Sequence, residues 1–219
     1  MMESVRYVWG VDLGYVRDPT AVAVISRTFR DRRWWYVLGA LWQLKEGDID
    51  ARQGVDFYEA LSGWLCGMQS PVHPPGARVP YLGHSLLAVD GTGPGRDATF
   101  RFLRGRLAKT VRMVPVQIRA SSDAVGKQGD DGWFRTSRKD LVVTLDSVSE
   151  SGRLSFVGGL QHQKELEKQL VNFRIKESAD DGFKRDDHDD LAVALALAVT
   201  LAERLTQVVP GGLVPVRYV

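Results

Sequence analysis

The first apolar run, Val8-Trp-Gly-Val11, ends abruptly at Asp12-Leu-Gly14. An unbroken apolar run of this length reads as a strand buried on both faces, here Val5 to Val11. Gly14 and Pro19 punctuate the turn that follows. Thr20 to Arg27 and Trp34 to Leu41 are rich in β-branched and aromatic residues, so the chain opens with three strands in antiparallel hairpins. Asp48 is the predicted N-cap of a helix over 49–65. Four prolines between positions 69 and 80 mark a loop. Leu86 to Val89 is a short buried strand that ends at Asp90. Gly91-Thr-Gly-Pro-Gly95 is then a tight loop, with Pro94 near the start of a helix over 98–107. Val111 to Ile118 reads as a strand, and 120–133 as a polar, glycine-bearing, mobile flap. A helix over Thr136 to Ser149, capped by Thr136 or Ser137, precedes a strand over Leu154 to Val157 and a helix over Gln161 to Phe173. The last helix, from about Asp189 to Leu205, is apolar nearly all round, which places it deep against the sheet.

Three leading strands followed by alternating helices and strands predict an α/β fold, a mixed sheet flanked by helices. The sequence shows no internal repeat and no linker. One domain is expected over 1–207, with a tail over 208–219 whose prolines and glycines cannot continue the helix. That tail is apolar enough to dock on a partner or to pack back on its own domain.

The chain has 219 residues, 44% hydrophobic and 26% charged, enough for one substantial core. No apolar stretch reaches the roughly 18 residues that span a bilayer. The N-terminus lacks the basic start and apolar core of a signal peptide, and the single Cys66 excludes an internal disulfide or a multi-cysteine metal site. A cytoplasmic protein is expected. Net charge is only +2, but it is unevenly spread. Positions 101–140 hold ten Lys or Arg against four Asp, while 177–190 hold seven acids against Lys184 and Arg185. Such charges often do no more than solvate surface helices. An acidic centre beside a basic flank also suits an enzyme that binds a polyanion around metal ions.

Asp12 and Asp90 each end a buried run, and Asp186-Asp-His-Asp-Asp190 directly precedes the last helix. Singly, each acid is an ordinary turn or helix-cap residue. Together, all three can lie at one end of a sheet, where unpartnered carboxylates would repel and a divalent cation would relieve them. Helical neighbours diverge by about 100°, so Asp189 and Asp190 cannot serve one ion equally. One is expected to ligate, and the other to cap the helix or support from behind. His188 either orients a carboxylate or contacts phosphate, or has no duty at all.

These motifs resemble those of the nuclease domain of viral large terminase subunits, the DNA-packaging motors of tailed phages, which has a ribonuclease H-like fold. The resemblance is carried by Gly10-Val-Asp-Leu-Gly14 with Asp18-Pro-Thr-Ala-Val-Ala23, by Val89-Asp-Gly-Thr-Gly-Pro-Gly95, by Trp133 to Leu141, by Ser151-Gly-Arg-Leu154 with Leu166 to Phe173, and by His188-Asp-Asp-Leu191 with Ala194-Leu-Ala196. It runs from about Val5 to Leu201. It implies an endonuclease that cuts concatemeric DNA with two Mg²⁺ or Mn²⁺ ions and little sequence preference. Asp12, Asp90 and Asp190 would be the metal ligands, with Asp189 beside them. Asp12 would bridge ions about 4 Å apart, with Asp90 on one and Asp190 on the other. Lys127, Arg135, Arg138 and Lys139 would meet DNA phosphates. The implied partners are double-stranded DNA, a terminase ATPase domain, the small terminase and the portal. No Gly-x-x-x-x-Gly-Lys-Ser/Thr phosphate loop occurs, so the chain by itself is expected neither to hydrolyse ATP nor to translocate DNA.

Three other readings stay open on the residues. A Holliday-junction resolvase of the same fold would use a similar acidic centre on branched DNA. A sugar-kinase or actin-type ATPase shares the Asp-Gly-Thr-Gly pattern but needs two such domains. A non-catalytic DNA-binding or docking module could retain the fold.

Overall fold

A computed structural model describes residues 7–14, 19–45, 48, 57–67, 85–92, 99, 111–119, 127–129, 131–178 and 189–206. Among these the chain runs β1 (Tyr7–Asp12), β2 (Thr20–Arg30), β3 (Arg33–Leu44), α1 (Phe57–Gly67), β4 (Ser85–Asp90), β5 (Arg112–Arg119), β6 (Lys127–Gln128), β7 (Phe134–Ser137), α2 (Arg138–Glu150), β8 (Leu154–Phe156), α3 (Gln163–Ser178) and α4 (Asp190–Thr206). The strands form one eight-stranded sheet in the order β6-β7-β5-β4-β1-β2-β3-β8. β1, β2 and β3 pair antiparallel. β4 joins β1 in parallel, β5 joins β4, and β7 joins β5. The expected mixed sheet, with three antiparallel leading strands and later parallel ones, is what forms.

β1 is central, which is why its sequence is apolar on both faces. Val8 joins the core under α2, α3 and α4, while Trp9 and Val11 join the core on the α1 side. α4 is the buried helix the sequence predicts: Leu191 to Leu201 lie within the core, alternating alanines with larger residues. Its C-terminal end is fastened by Glu203, which accepts from Tyr36 Oη at 2.5 Å and from Arg153 Nη1 at 2.6 Å. No helix among the described residues is long and apolar enough to cross a membrane.

Two short strands, β6 and β7, are not foreseen from the sequence. Phe134-Arg-Thr-Ser137 is too short to show a period, and its pairing with β5, Ile118 to Thr136 and Arg119 to Ser137, supplies what propensity does not. Thr136 is therefore in a strand, and helix α2 starts at Arg138. Ser137 is its N-cap: its Oγ accepts from the Asp140 N–H at 3.1 Å, and the Asp140 carboxylate accepts from the Ser137 N–H at 3.2 Å. The predicted helix over 98–107 (except Thr99), the first part of that over 49–65, the acidic loop with His188 and the tail over 208–219 lie outside the described residues.

Candidate metal centre

Two parallel strands bring the first two acids together. Val11 pairs with Val89, so the next residues, Asp12 and Asp90, leave the sheet side by side. Adjacent strands stand about 4.8 Å apart, which sets the spacing of these two tips. Both lie at the carboxyl ends of their strands, where open α/β sheets place their ligands.

Gly10 brings in the third. A Cβ on Gly10 would lie 1.9 Å from the Ala194 carbonyl oxygen and 2.9 Å from the Ala198 nitrogen. The backbone of α4 thus rests directly on β1, an approach that only glycine permits. From this contact, Asp12 is two residues further along β1, about 6.6 Å. Asp190 is one turn back along α4, about 6 Å. The two similar steps bring the helix start to the strand tip.

The first turn of α4 is held by a residue that sequence reasoning missed. Gln169 of α3 is buried, and its Oε1 accepts from the backbone N–H of Leu191 at 2.9 Å and of Ala192 at 3.3 Å. It takes up two of the donors that every helix start leaves open. Its only sequence signal is a polar residue at a core-facing position of a helix, which is ambiguous until the partner helix is known. Thr92 plays the matching part for Asp90. Asp90 Oδ1 accepts from the Thr92 N–H at 2.8 Å and from its hydroxyl at 2.5 Å. The Thr92 Oγ in turn accepts from the Ile118 N–H at 2.8 Å, tying the loop to β5. Gly91 leaves room for the buried Trp133 ring, which would stand 2.4 Å from any Cβ there. That ring packs the end of the predicted flap segment beneath the Asp90 loop.

The electrostatics register the convergence. Burial pushes the Asp12 carboxyl well above the ordinary carboxylate range. The charges of Asp90, Asp190 and Asp189 push it further, and the Arg138 guanidinium pulls it back. Asp90 is also raised by burial, with the two Thr92 hydrogen bonds opposing the rise. The structure therefore brings Asp12, Asp90, Asp189 and Asp190 into one field. It does not close them on a single point: among the described residues, no three His, Cys, Asp or Glu side chains stand in an arrangement that holds an ion. Two of the acids instead have partners of their own. Thr92 holds Asp90, and Arg138 forms an ion pair with Asp189.

The cationic residues named from the sequence scatter. Arg138 belongs to the acidic centre itself, its guanidinium paired with Asp189 and stacked 4.5 Å above the Phe173 ring. Arg135 is paired with Asp131 across one turn of chain. Lys139 is exposed at the start of α2. Lys127 lies on the edge strand β6, opposite Arg135.

A mixed sheet with three leading antiparallel strands, later parallel ones and a buried helix laid across β1 is a ribonuclease H-like α/β arrangement. No family model matches the chain, and no curated protein does. Among solved structures, the human cytomegalovirus terminase nuclease domain, Mn soaked, aligns over 90% of this chain and 84% of its own, with TM-score 0.54 and 16% identity. The same domain with inhibitor bound gives 0.47 and 14%, over 89% and 82%. The large terminase nuclease from thermophilic phage G20c gives 0.42 and 16%, over 88% and 80%. The first of these carries the assignment: the chain has the ribonuclease H-like fold of a terminase nuclease domain.

Proposed function

We propose that the chain is a metal-dependent DNA endonuclease of the genome-packaging terminase kind, cutting concatemeric DNA with little sequence preference. The observation that carries this reading is the meeting of Asp12, Asp90, Asp189 and Asp190 at one end of the sheet, close enough for three carboxylates to raise the fourth. Their donor set is carboxylate oxygen, which suits Mg²⁺ or Mn²⁺ rather than a thiolate-seeking ion. The Mn soaking of the similar cytomegalovirus domain agrees with that choice.

Asp12, Asp90 and Asp190 would hold the ions, Asp12 from its position between Asp90 and the start of α4. Bound there, such ions would supply a water of lowered pKa and stabilise the leaving 3′-oxygen. The chain's own side chains do the positioning. Thr92 fixes Asp90, Gln169 fixes the first turn of α4, and Arg138 holds Asp189 to one side. With Asp189 paired to Arg138, Asp190 would be the direct ligand of the acidic pair and Asp189 its support. His188 adjoins them in sequence as a second support. Lys127, Arg135 and Lys139 are candidates for phosphate contacts, which set register without reading bases. The partners that follow are double-stranded DNA and the other parts of a packaging machine: an ATPase domain, a small terminase and a portal. The compartment that follows is the host cytoplasm.

The test is incubation of supercoiled plasmid with purified protein in Mn²⁺, in Mg²⁺ and in EDTA, beside Asp12→Asn. Metal-dependent nicking and linearisation, absent from the variant, is the expected result. Cutting that survives in Asp12→Asn would sink the mechanism. Selective, symmetric cutting of a four-way junction would reassign the site to a resolvase.

A further inference from the structure

The β2–β3 hairpin carries a surface that the acidic centre does not use. β1 pairs with β2 only as far as Ser26, and β8 meets β3 from Tyr36 onward. Among the described residues, the segment from Arg27 to Trp35 therefore runs on as a two-stranded ribbon with no strand paired to either edge, its base tied down where Arg153 donates to the Trp34 carbonyl at 3.3 Å and Arg27 to the Ala202 carbonyl at 3.5 Å. Isolated ribbons are marginal in water. This one is stiffened by its own side chains. On one face, Arg27 lies 4.2 Å over the Trp34 ring, and Phe29 packs against Trp34 at 5.2 Å. On the other face, Arg30 lies 3.9 Å over the Trp35 ring.

The ribbon is strongly cationic. Arg27, Arg30, Arg32 and Arg33 stand against Asp31 alone, and residues 28–33 are exposed. Arg30, Arg32 and Arg33 form no ion pair among the described residues. The turn has a further peculiarity. Asp31 and Arg32 both have positive φ, 53° and 58°. A two-residue turn of this kind favours Asn-Gly, because a Cβ there costs about 1 kcal/mol. Arg32 thus occupies a position where glycine would be cheaper for folding.

We infer that the β2–β3 ribbon is a second contact for duplex DNA, inserted into a groove and gripping phosphates through Arg30, Arg32 and Arg33. The inference takes its polyanion from the nuclease reading above. Three features select duplex DNA. A two-stranded ribbon fits the B-DNA major groove. Guanidinium groups match phosphate bidentately, and stacking on indole holds Arg30 before binding. The reach also fits. Ala21 is paired with Asp12, and Arg30 is nine residues further along β2, about 30 Å away. That is about nine base pairs of duplex, so one DNA molecule can serve both places by bending or in a second passage.

The test is fluorescence anisotropy of a labelled duplex of about 30 bp in EDTA, titrated at several salt concentrations. Arg30→Glu/Arg32→Glu/Arg33→Glu is expected to bind at least about tenfold more weakly. Its log–log salt slope should be shallower by about three, roughly one unit per phosphate lost. Equal affinity and slope would overturn the proposal. Arg32→Gly separates grip from folding: it relieves the positive φ, so its melting temperature should hold or rise while affinity falls. Unchanged affinity would show Arg32 to be a turn residue only and overturn its part. Polyglutamate that displaces protein more effectively per charge than unlabelled duplex does would assign the ribbon to an acidic protein surface instead, and overturn the DNA reading. Because these titrations contain EDTA, failure of the nuclease reading leaves them interpretable. Failure here leaves wild-type, metal-dependent cutting untouched.

Discussion

Asp12 is a partly buried carboxylate held among three others, so its charge opposes folding, and in the proposed reaction it would hold metal. Asp12→Asn is therefore expected to abolish cleavage while raising the melting temperature in EDTA by a few degrees, the shift that about 1 kcal/mol gives in a chain of this size. Differential scanning fluorimetry beside the plasmid assay checks both; a lower melting temperature would mean that the carboxylate supports the fold. Arg138 behaves in the opposite sense. Its guanidinium lowers the Asp12 carboxyl, and it is paired with Asp189 and stacked on Phe173. Arg138→Ala should lose about 1–3 kcal/mol in EDTA, because Asp189 keeps its burial and loses this ion pair. Mn²⁺ should then stabilise the variant more than the wild type, since the ions replace the missing positive charge. An equal Mn²⁺ increment in both proteins would remove Arg138 from the centre. From sequence, Arg138 looks like one more arginine in a basic stretch. Only the packing of α2 against α3 and α4 turns it inward.

At the scale of elements, the centre depends on where α4 crosses β1. Gly10→Ala forces a Cβ into the Ala194 carbonyl. Neither backbone can yield locally, so the helix must shift, at a cost of about 1–3 kcal/mol or more. The shift carries Asp190 away from Asp12. The expected outcome is a lower melting temperature together with loss of cleavage, and a crystal structure of the variant should show α4 displaced. Full activity would mean that the helix start is positioned by something else. α4 itself is legible in the sequence, because a helix apolar all round has nowhere to lie but in the core. Gly10 is less so: in the sequence it is one small residue in an apolar run. Strands β6 and β7 are not legible, because each is shorter than the window over which a period can be recognised.

For the whole molecule, the raised carboxylates impose a pH dependence. Asp12 and Asp90 titrate near the ordinary carboxylate value when unfolded and above it in the fold. Between those values the folded chain holds more protons than the unfolded one, so stability falls as pH rises through that window. In EDTA the melting temperature should decline as pH rises above the ordinary carboxylate range. Asp12→Asn should flatten the decline, and divalent ions, which bind carboxylates in their ionised form, should offset it. A melting temperature that rises with pH over this range in EDTA would contradict the assignment of the buried acids.

The sequence by itself determined the order and type of most elements, since buried strands and a buried helix must be apolar wherever they pack. It also singled out the acids, because a carboxylate that ends an apolar run has no place in the core and must leave it at the tip. Tertiary structure decided how those tips are served. Thr92 grips Asp90 from its own loop, but only β5 holds Thr92 in place. Gln169 caps a helix that begins 21 residues after it, and Arg138 meets an aspartate 51 residues away. Hydrophobic burial repeats with the period of a helix or strand and so is written locally. A hydrogen bond or ion pair between distant residues has no period, and exists only once the core has fixed both partners.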